Sequence, residues 1–301
     1  MPPECKEQSI HECLLRNYNT RMRPGRLSNR RLQVSLKVYL FKIEDVDMKH
    51  QIVTADLAAS LQWTDERLQW DEPSFENLTW IAMESEAIWK PDLVLTSQNA
   101  FKVFVDFEKS LAKISSNGLV EVWPFLHVEL GTDIYISRYP FDKQSLVFAF
   151  EAWTYSTNDL IFIVDKNFDP LISQTQNGEW ETLGHEIVDK NKDYGDGVVY
   201  HQTGYKIFIK RRVLYYSLNI IGPVLLISLL NILCFVLPSS SGERVGLSMT
   251  IFLTLTVFLT TVSDSLPKTS LGVAVIVVYL GLQMIGSAFT IIMTVLIIEF
   301  E

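Results

Sequence analysis

The run LQVSLKVYLF, Leu32–Phe41, alternates with period two. Leu32, Val34, Leu36, Val38 and Leu40 fall on one side, and Gln33, Ser35, Lys37, Tyr39 and Phe41 on the other. Successive side chains of a strand point to opposite faces, so this pattern predicts a strand with one face in a core. Shorter runs recur at Phe101–Phe107, Leu119–Val122, Leu146–Phe150, Leu160–Val164 and Tyr205–Ile209. The turn pairs Asn117-Gly118, Asn177-Gly178 and Asp196-Gly197 separate several of them. Many short strands without alternating helices predict an antiparallel β-sandwich. Ahead of them, residues 6–19 carry apolar positions at helical spacing, and Pro24-Gly25 ends any helix there.

The chain has 301 residues, 48% apolar and 20% charged, with a net charge of −9. The charges are unevenly placed. Residues 1–212 mix them with aromatics, whereas residues 213–300 carry only Glu243, Arg244, Asp264, Lys268 and Glu299. Within that second part, runs at about Val213–Leu237, Val245–Leu266 and Leu271–Ile298 are each long enough to cross a ~30 Å hydrocarbon core. The short breaks between them make the spans antiparallel neighbours. The expected architecture is a β-sandwich domain over residues 1–212, then an all-α transmembrane bundle over residues 213–301.

Of the three cysteines, Cys234 lies inside the first span as a packing residue. Cys5 and Cys13 would stand about 12 Å apart along a single helix, too far to pair with each other; a non-helical or intersubunit pairing stays open. Asn77-Leu-Thr79 is a glycosylation sequon suited to an extracellular surface. Lys210-Arg211-Arg212 just before the first span argues for the cytoplasm, but long domains translocate largely regardless of such charge. His11, His50, His127, His185 and His201 show no metal-ligand spacing. Glu44-Asp45-Val-Asp47 is better read as a solvated turn than as a calcium loop. No nucleophile elbow, phosphate loop or zinc motif is present, so neither an enzyme nor a resident cofactor is expected, and no nucleic-acid partner.

The second span is the unusual one, with Ser248, Thr250, Thr254, Thr256, Thr260, Thr261 and Ser263 among its apolar residues. Steps of three and four give one face: Glu243, Gly246, Thr250, Leu253, Val257, Thr260 or Thr261, and Asp264. Hydroxyls bonded to backbone within a bundle would explain the Ser and Thr. Acids at both ends and an apolar waist fit something else, a water-filled path in which acidic rings favour cations and Leu253 closes by dewetting. One helix cannot enclose a path, so that reading requires an oligomer.

The ordered set Trp63-Thr-Asp-Glu-Arg-Leu-Gln-Trp70, Trp89-Lys-Pro-Asp-Leu-Val-Leu95, Tyr139-Pro-Phe-Asp142, Ala152-Trp-Thr-Tyr155 and Asn177-Gly-Glu-Trp180, with Pro223 and Gly242-Glu-Arg244, resembles the pentameric ligand-gated ion channels. These are the Cys-loop receptors, and the match is nearest to their nicotinic, cation-selective branch. The resemblance implies five subunits, agonist sites between neighbouring extracellular domains, a multi-pass position in the cell membrane and a pore lined by the second span. It places Glu243 and Asp264 at the cation-selecting positions and Leu253 at the gate. Asp142, Pro140, Phe141, Arg212 and Pro267 fall where the sandwich couples to the spans. The family's fourth span is missing from these 301 residues.

The chain departs from that family at its ligand box, an aromatic cage for an ammonium group. Trp153 and Tyr200 match. Thr96 and Ala58 stand where aromatics are expected, Gly195-Asp196 replaces the adjacent cysteines, and Tyr194 is a substitute one residue out of register. Two lost walls are worth about 1–4 kcal/mol, or ten- to several-hundredfold in affinity. Trp63, Trp70, Trp89 and Trp123 are expected in the core. The disulfide that names the family is also lost, its two positions falling at Thr132 and Leu146. Packing by Ile134, Ile136 and Leu146, with a cis bond at Tyr139-Pro140, is expected to hold that loop instead. The leading expectation is a subunit of a homopentamer, gated by a small-molecule agonist and conducting cations. The alternative is a non-conducting binding protein of the same fold, and no motif supports a membrane-tethered enzyme.

Overall fold

The computed structural model describes residues 10–25, 30–97, 102–108, 110–195, 197–237, 243–269 and 272–300. A short helix α1 (Ile10–Leu15) buries Ile10 and Leu14 against the first of two sheets. The larger sheet holds β1 (Leu32–Asp47), β2 (Ile52–Thr64), β3 (Trp80–Glu84), β6 (Leu111–Ser115), β7 (Leu119–Val122), β8 (Phe125–Gly131) and β10 (Leu160–Val164). The smaller runs β11 (Trp180–Asp193), β12 (Val199–Arg211), β9 (Lys143–Ala152), β4 (Leu93–Thr96), β5 (Lys102–Phe104) in spatial order.

The alternation in β1 is realised in its burial: Val34, Leu36, Val38 and Leu40 face the core and the residues between them do not. β2 lacks alternation because it is central. It pairs with β1 on one side and with β8 and then β7 on the other, so Leu57 through Leu61 are all buried. One pairing departs from the antiparallel expectation, since β1 and β10 run parallel from Leu32 opposite Leu160. The inner faces join in one core that includes Trp63, Phe148, Phe150, Phe162 and Tyr205. Burying a large apolar side chain stabilises by about 1.5–3 kcal/mol, which makes this layer the main source of the domain's stability.

Trp63, Trp70 and Trp89 are buried as expected. Trp123 is not: it is 38% exposed and stacks on Tyr39 at 5.1 Å. Cys13 is disulfide-bonded, in keeping with the pairing that the sequence left open, and Cys5 lies outside the described residues. Cys234 is free and buried, with its Sγ 3.0 Å from Ser248 Oγ.

Among the described residues, three helices are long and apolar enough to cross a membrane: Leu214–Val236, Glu243–Asp264 and Val275–Ile297, the last within a helix that runs to Phe300. The first contains a π-turn at Ser217–Ile221 just before Pro223, whose ring cannot donate to the preceding turn. Ser228 of the first span meets Tyr279 of the third at 3.0 Å, and Thr256 of the second reaches Met284 of the third. Such polar contacts replace the hydrophobic drive that is absent between helices in lipid.

Candidate functional site

Three clusters stand along the molecule. The first lies at the free end of the smaller sheet, in a cavity of about 330 Å³ lined by Lys102, Glu151, Ala152, Trp153, Tyr194 and Tyr200. Trp153 follows β9, where its backbone N–H donates to Asp92 O at 3.1 Å, and its ring stays 49% exposed. Tyr194 follows β11 and Tyr200 opens β12, with their rings 5.8 Å apart. Phe104 stands edge-on to Trp153 at 5.4 Å.

The centre of this cage is occupied by the chain itself. Lys102 Nζ lies 4.6 Å from the Trp153 ring centre and 4.3 Å from that of Tyr194. The same ammonium is 2.6 Å from Glu151 Oε1, a carboxylate only 1% exposed. Tyr194 donates its hydroxyl to both Glu151 oxygens, at 2.8 and 2.9 Å. Burial alone would lower the Lys102 pKa, but the hydrogen bonds with Glu151 and Tyr194 outweigh it and hold the ammonium above its ordinary value. Burial, followed by the bond to Glu151, pushes the Tyr194 phenol up.

Two expected ligand residues do not reach this cavity. Thr96 is buried on β4, donating to Ala149 O at 3.1 Å and accepting from Gln202. Ala58 is fully buried in β2 between Tyr39 and Phe125. Neither offers surface to a ligand, which corrects their assignment. Lys102 and Glu151 escaped sequence reading because each sits in or beside an apolar run. β4 lies between their two strands and alone brings them together.

The second cluster joins sandwich to spans. Arg211, 2% exposed at the end of β12, donates from Nε to Asp142 Oδ1 at 2.8 Å and from Nη2 to Oδ2 at 3.3 Å. It also bonds Glu179 and, from Nη1, Tyr216 Oη at 3.1 Å, and Tyr216 belongs to the first span. Its guanidinium lies 4.1 Å from the Trp180 ring and 5.3 Å from Tyr139. Burial opposes its charge, and Asp142 more than restores it. Arg212 is exposed, with its backbone N–H donating to Glu179 O. The arginine that meets Asp142 is therefore Arg211, a correction of one residue, forced by a register in which Arg211 pairs with Trp180 and faces inward.

The loop Thr132–Leu146 stands above the spans. Ile134, Ile136 and Leu146 are buried, Thr132 N–H donates to Gln51 O at 2.8 Å, and Tyr139-Pro140 is cis. Pro140 and Phe141 border an apolar cavity of about 420 Å³ with Ile221, Val224 and Tyr279. Ser137 O accepts from Val275 N–H at 3.2 Å, Tyr139 bonds Ser265, and the nearby Pro267 is buried.

The third cluster is the second span. Arg244, Ser248, Ile251, Leu255 and Val262 are buried against the other spans. Glu243, Gly246, Thr250, Leu253, Val257, Thr260, Thr261 and Asp264 are all exposed, on the opposite face, with Leu253 at 64%. Thr250, Thr254, Thr256 and Thr261 each donate to the carbonyl four residues back, and Thr260 to Val257 O. Their protons are spent inside the helix, so the oxygens of the exposed threonines present lone pairs outward.

Residues 7–213 match the neurotransmitter-gated ion-channel ligand binding domain, and residues 220–301 the neurotransmitter-gated ion-channel transmembrane region. The chain belongs to the neurotransmitter-gated ion-channel family. Neuronal acetylcholine receptor subunit beta-2 of Carassius auratus is 34% identical over 282 residues, covering 94% of this chain and 61% of that protein. Acetylcholine receptor subunit beta of Xenopus laevis is 31% identical over 309 residues, covering 98% and 61%. Neuronal acetylcholine receptor subunit beta-3 of Gallus gallus is 33% identical over 296 residues, covering 97% and 64%. The chain thus spans about three fifths of the length of these relatives. The family is one of membrane receptors with an extracellular ligand-binding domain, not of enzymes.

Proposed function

We propose that the chain is one subunit of a homopentameric ligand-gated cation channel in the cell membrane, with its sandwich outside. The observation that carries this is the exposed stripe of the second span. Acids at its two ends, threonine oxygens between them and Leu253 and Val257 at the waist form a face that the protomer leaves uncovered. Repeated around an axis, it would give two acidic rings favouring cations and a hydrophobic constriction. An agonist would bind at the Trp153, Tyr194 and Tyr200 end. Its effect would pass through β12 to Arg211, Asp142 and Tyr216, and through Tyr139, Phe141 and Pro267 to the heads of the spans. Asn77, exposed in a turn with φ of 62°, suits glycan attachment on that outer domain.

Recording current from the full-length chain in oocytes tests this reading. Leu253→Thr removes the apolar waist and is expected to ease opening, giving current with no ligand added. Glu243→Gln is expected to shift reversal potentials away from cation preference. Surface-expressed Leu253→Thr pentamers that stay silent refute the pore assignment.

A further inference from the structure

The aromatic cavity contains a cation before any ligand arrives. We propose that Lys102 is a built-in occupant of the ammonium seat, so that the site rejects free quaternary ammonium ligands unless Lys102 is displaced. This rests on reading the cavity as the ligand site, but not on the pore opening.

The observations converge on one atom. Lys102 Nζ lies within cation–π range of both Trp153 and Tyr194, the walls that a free ammonium would use. It is also the ion-pair partner of Glu151, which is 1% exposed and whose carboxylate also accepts from Tyr194. The side chain of Lys102 is itself only 21% exposed. A second ammonium, Lys192 Nζ, lies 4.6 Å from the Tyr194 ring. An incoming cation therefore meets two positive groups and one carboxylate already paired. To sit on the rings it must move Lys102 away from Glu151, and that buried charge pair resists opening. Beside the pair, Thr96 stands opposite Lys102 across β4 and β5 and accepts from Gln202.

If the lysine is the obstacle, removing its charge turns the seat into a receptor for the same chemical class. In Lys102→Gln, Glu151 keeps the Tyr194 bond, and the two rings become free for an external ammonium.

The test uses tetramethylammonium and the purified full-length protein, with binding read by titration calorimetry and not by current. Assembly is checked by gel filtration, and Lys102→Met serves as a second variant with nothing to hydrogen-bond. Wild type and Lys102→Arg are expected to bind at least tenfold more weakly than Lys102→Gln or Lys102→Met, the factor expected from one or two recovered cation–π contacts. Lys102→Gln/Glu151→Gln is expected to keep the part of the gain that the freed rings supply. Equal binding by wild type and both neutral variants overturns the proposal. A measurement on the wild type stands whether or not the variants assemble. Reductive methylation followed by mass spectrometry is expected to modify Lys102 several-fold more slowly than exposed Lys166, and equal labelling overturns it. Failure of the channel reading would appear as absent current, with these binding results unchanged.

Discussion

Replacing Arg211 by glutamine, with Arg212→Gln as its neighbour control, separates the two arginines that end the sandwich. Arg211→Gln leaves the Asp142 carboxylate, 1% exposed, without the 2.8 and 3.3 Å bonds from the guanidinium; among the described residues the Gln144 amide still donates to it at 2.7 Å, while the Arg211 backbone N–H goes to the Asp142 carbonyl. Glu179, 40% exposed, can rehydrate. Removing one partner of a buried pair costs about 3–5 kcal/mol because the other charge is stranded. For a domain of this size each kcal/mol moves the melting temperature by about 2–4 °C, so the expected drop is roughly 6–20 °C. Arg212 is exposed and is tied in through its backbone N–H, which the substitution keeps, so its loss should cost within about 0.5 kcal/mol. Thermal unfolding followed by intrinsic fluorescence suits the comparison, since Trp180 stacks on Arg211. Arg211→Met/Asp142→Leu should recover most of the lost stability, because an apolar pair of similar volume carries no desolvation cost. The same double variant should still lose gating, since its link to Tyr216 is gone. Equal melting shifts for Arg211→Gln and Arg212→Gln refute the assignment.

The remaining expectations are smaller in scope. Asp56 accepts from His127 at 2.8 Å and raises the imidazole above its ordinary pKa. A raised histidine contributes stability that is fully present below its unfolded value and lost as pH rises through its folded one. By NMR titration the His127 midpoint should lie above that in Asp56→Asn, and matching midpoints refute the pair. Gly118 has φ of +81°, and a Cβ there would stand 2.5 Å from Asp65 O, so Gly118→Ala should cost at least about 1–3 kcal/mol in denaturant unfolding. Exposed Gly178, with open space around it, should accept alanine within about 1 kcal/mol. Trp63→Ala empties the centre of the core and should cost about 3–5 kcal/mol.

Patterned strands announced themselves. β1, β7, β10 and the buried half of β12 followed from alternation or from short apolar runs, because each shows one face to the core. β2 and β11 did not, for opposite reasons: β2 is buried through most of its second half, and β11 is a polar edge strand whose side chains mostly face solvent. Trp123 reads as a core residue by type yet lies at the surface on Tyr39, since its composition carries no record of its partner. His127 showed no metal-ligand spacing in the chain, but β1, β2 and β8 bring it beside Glu44 and Asp56.

By itself the sequence determined what depends on local period: the two-part architecture, the three apolar spans and the polar face of the second one. Helical and strand periods are set by backbone geometry, so the side chains that share a face can be counted off. Register across strands and the contents of the aromatic cavity were decided only by tertiary structure. A shift of one residue turns a side chain from solvent to core, which is the whole difference between Arg212 and Arg211. The ammonium in the cage likewise belongs to Lys102 because β4 draws β5 and β9 together, a juxtaposition that no spacing along the chain encodes.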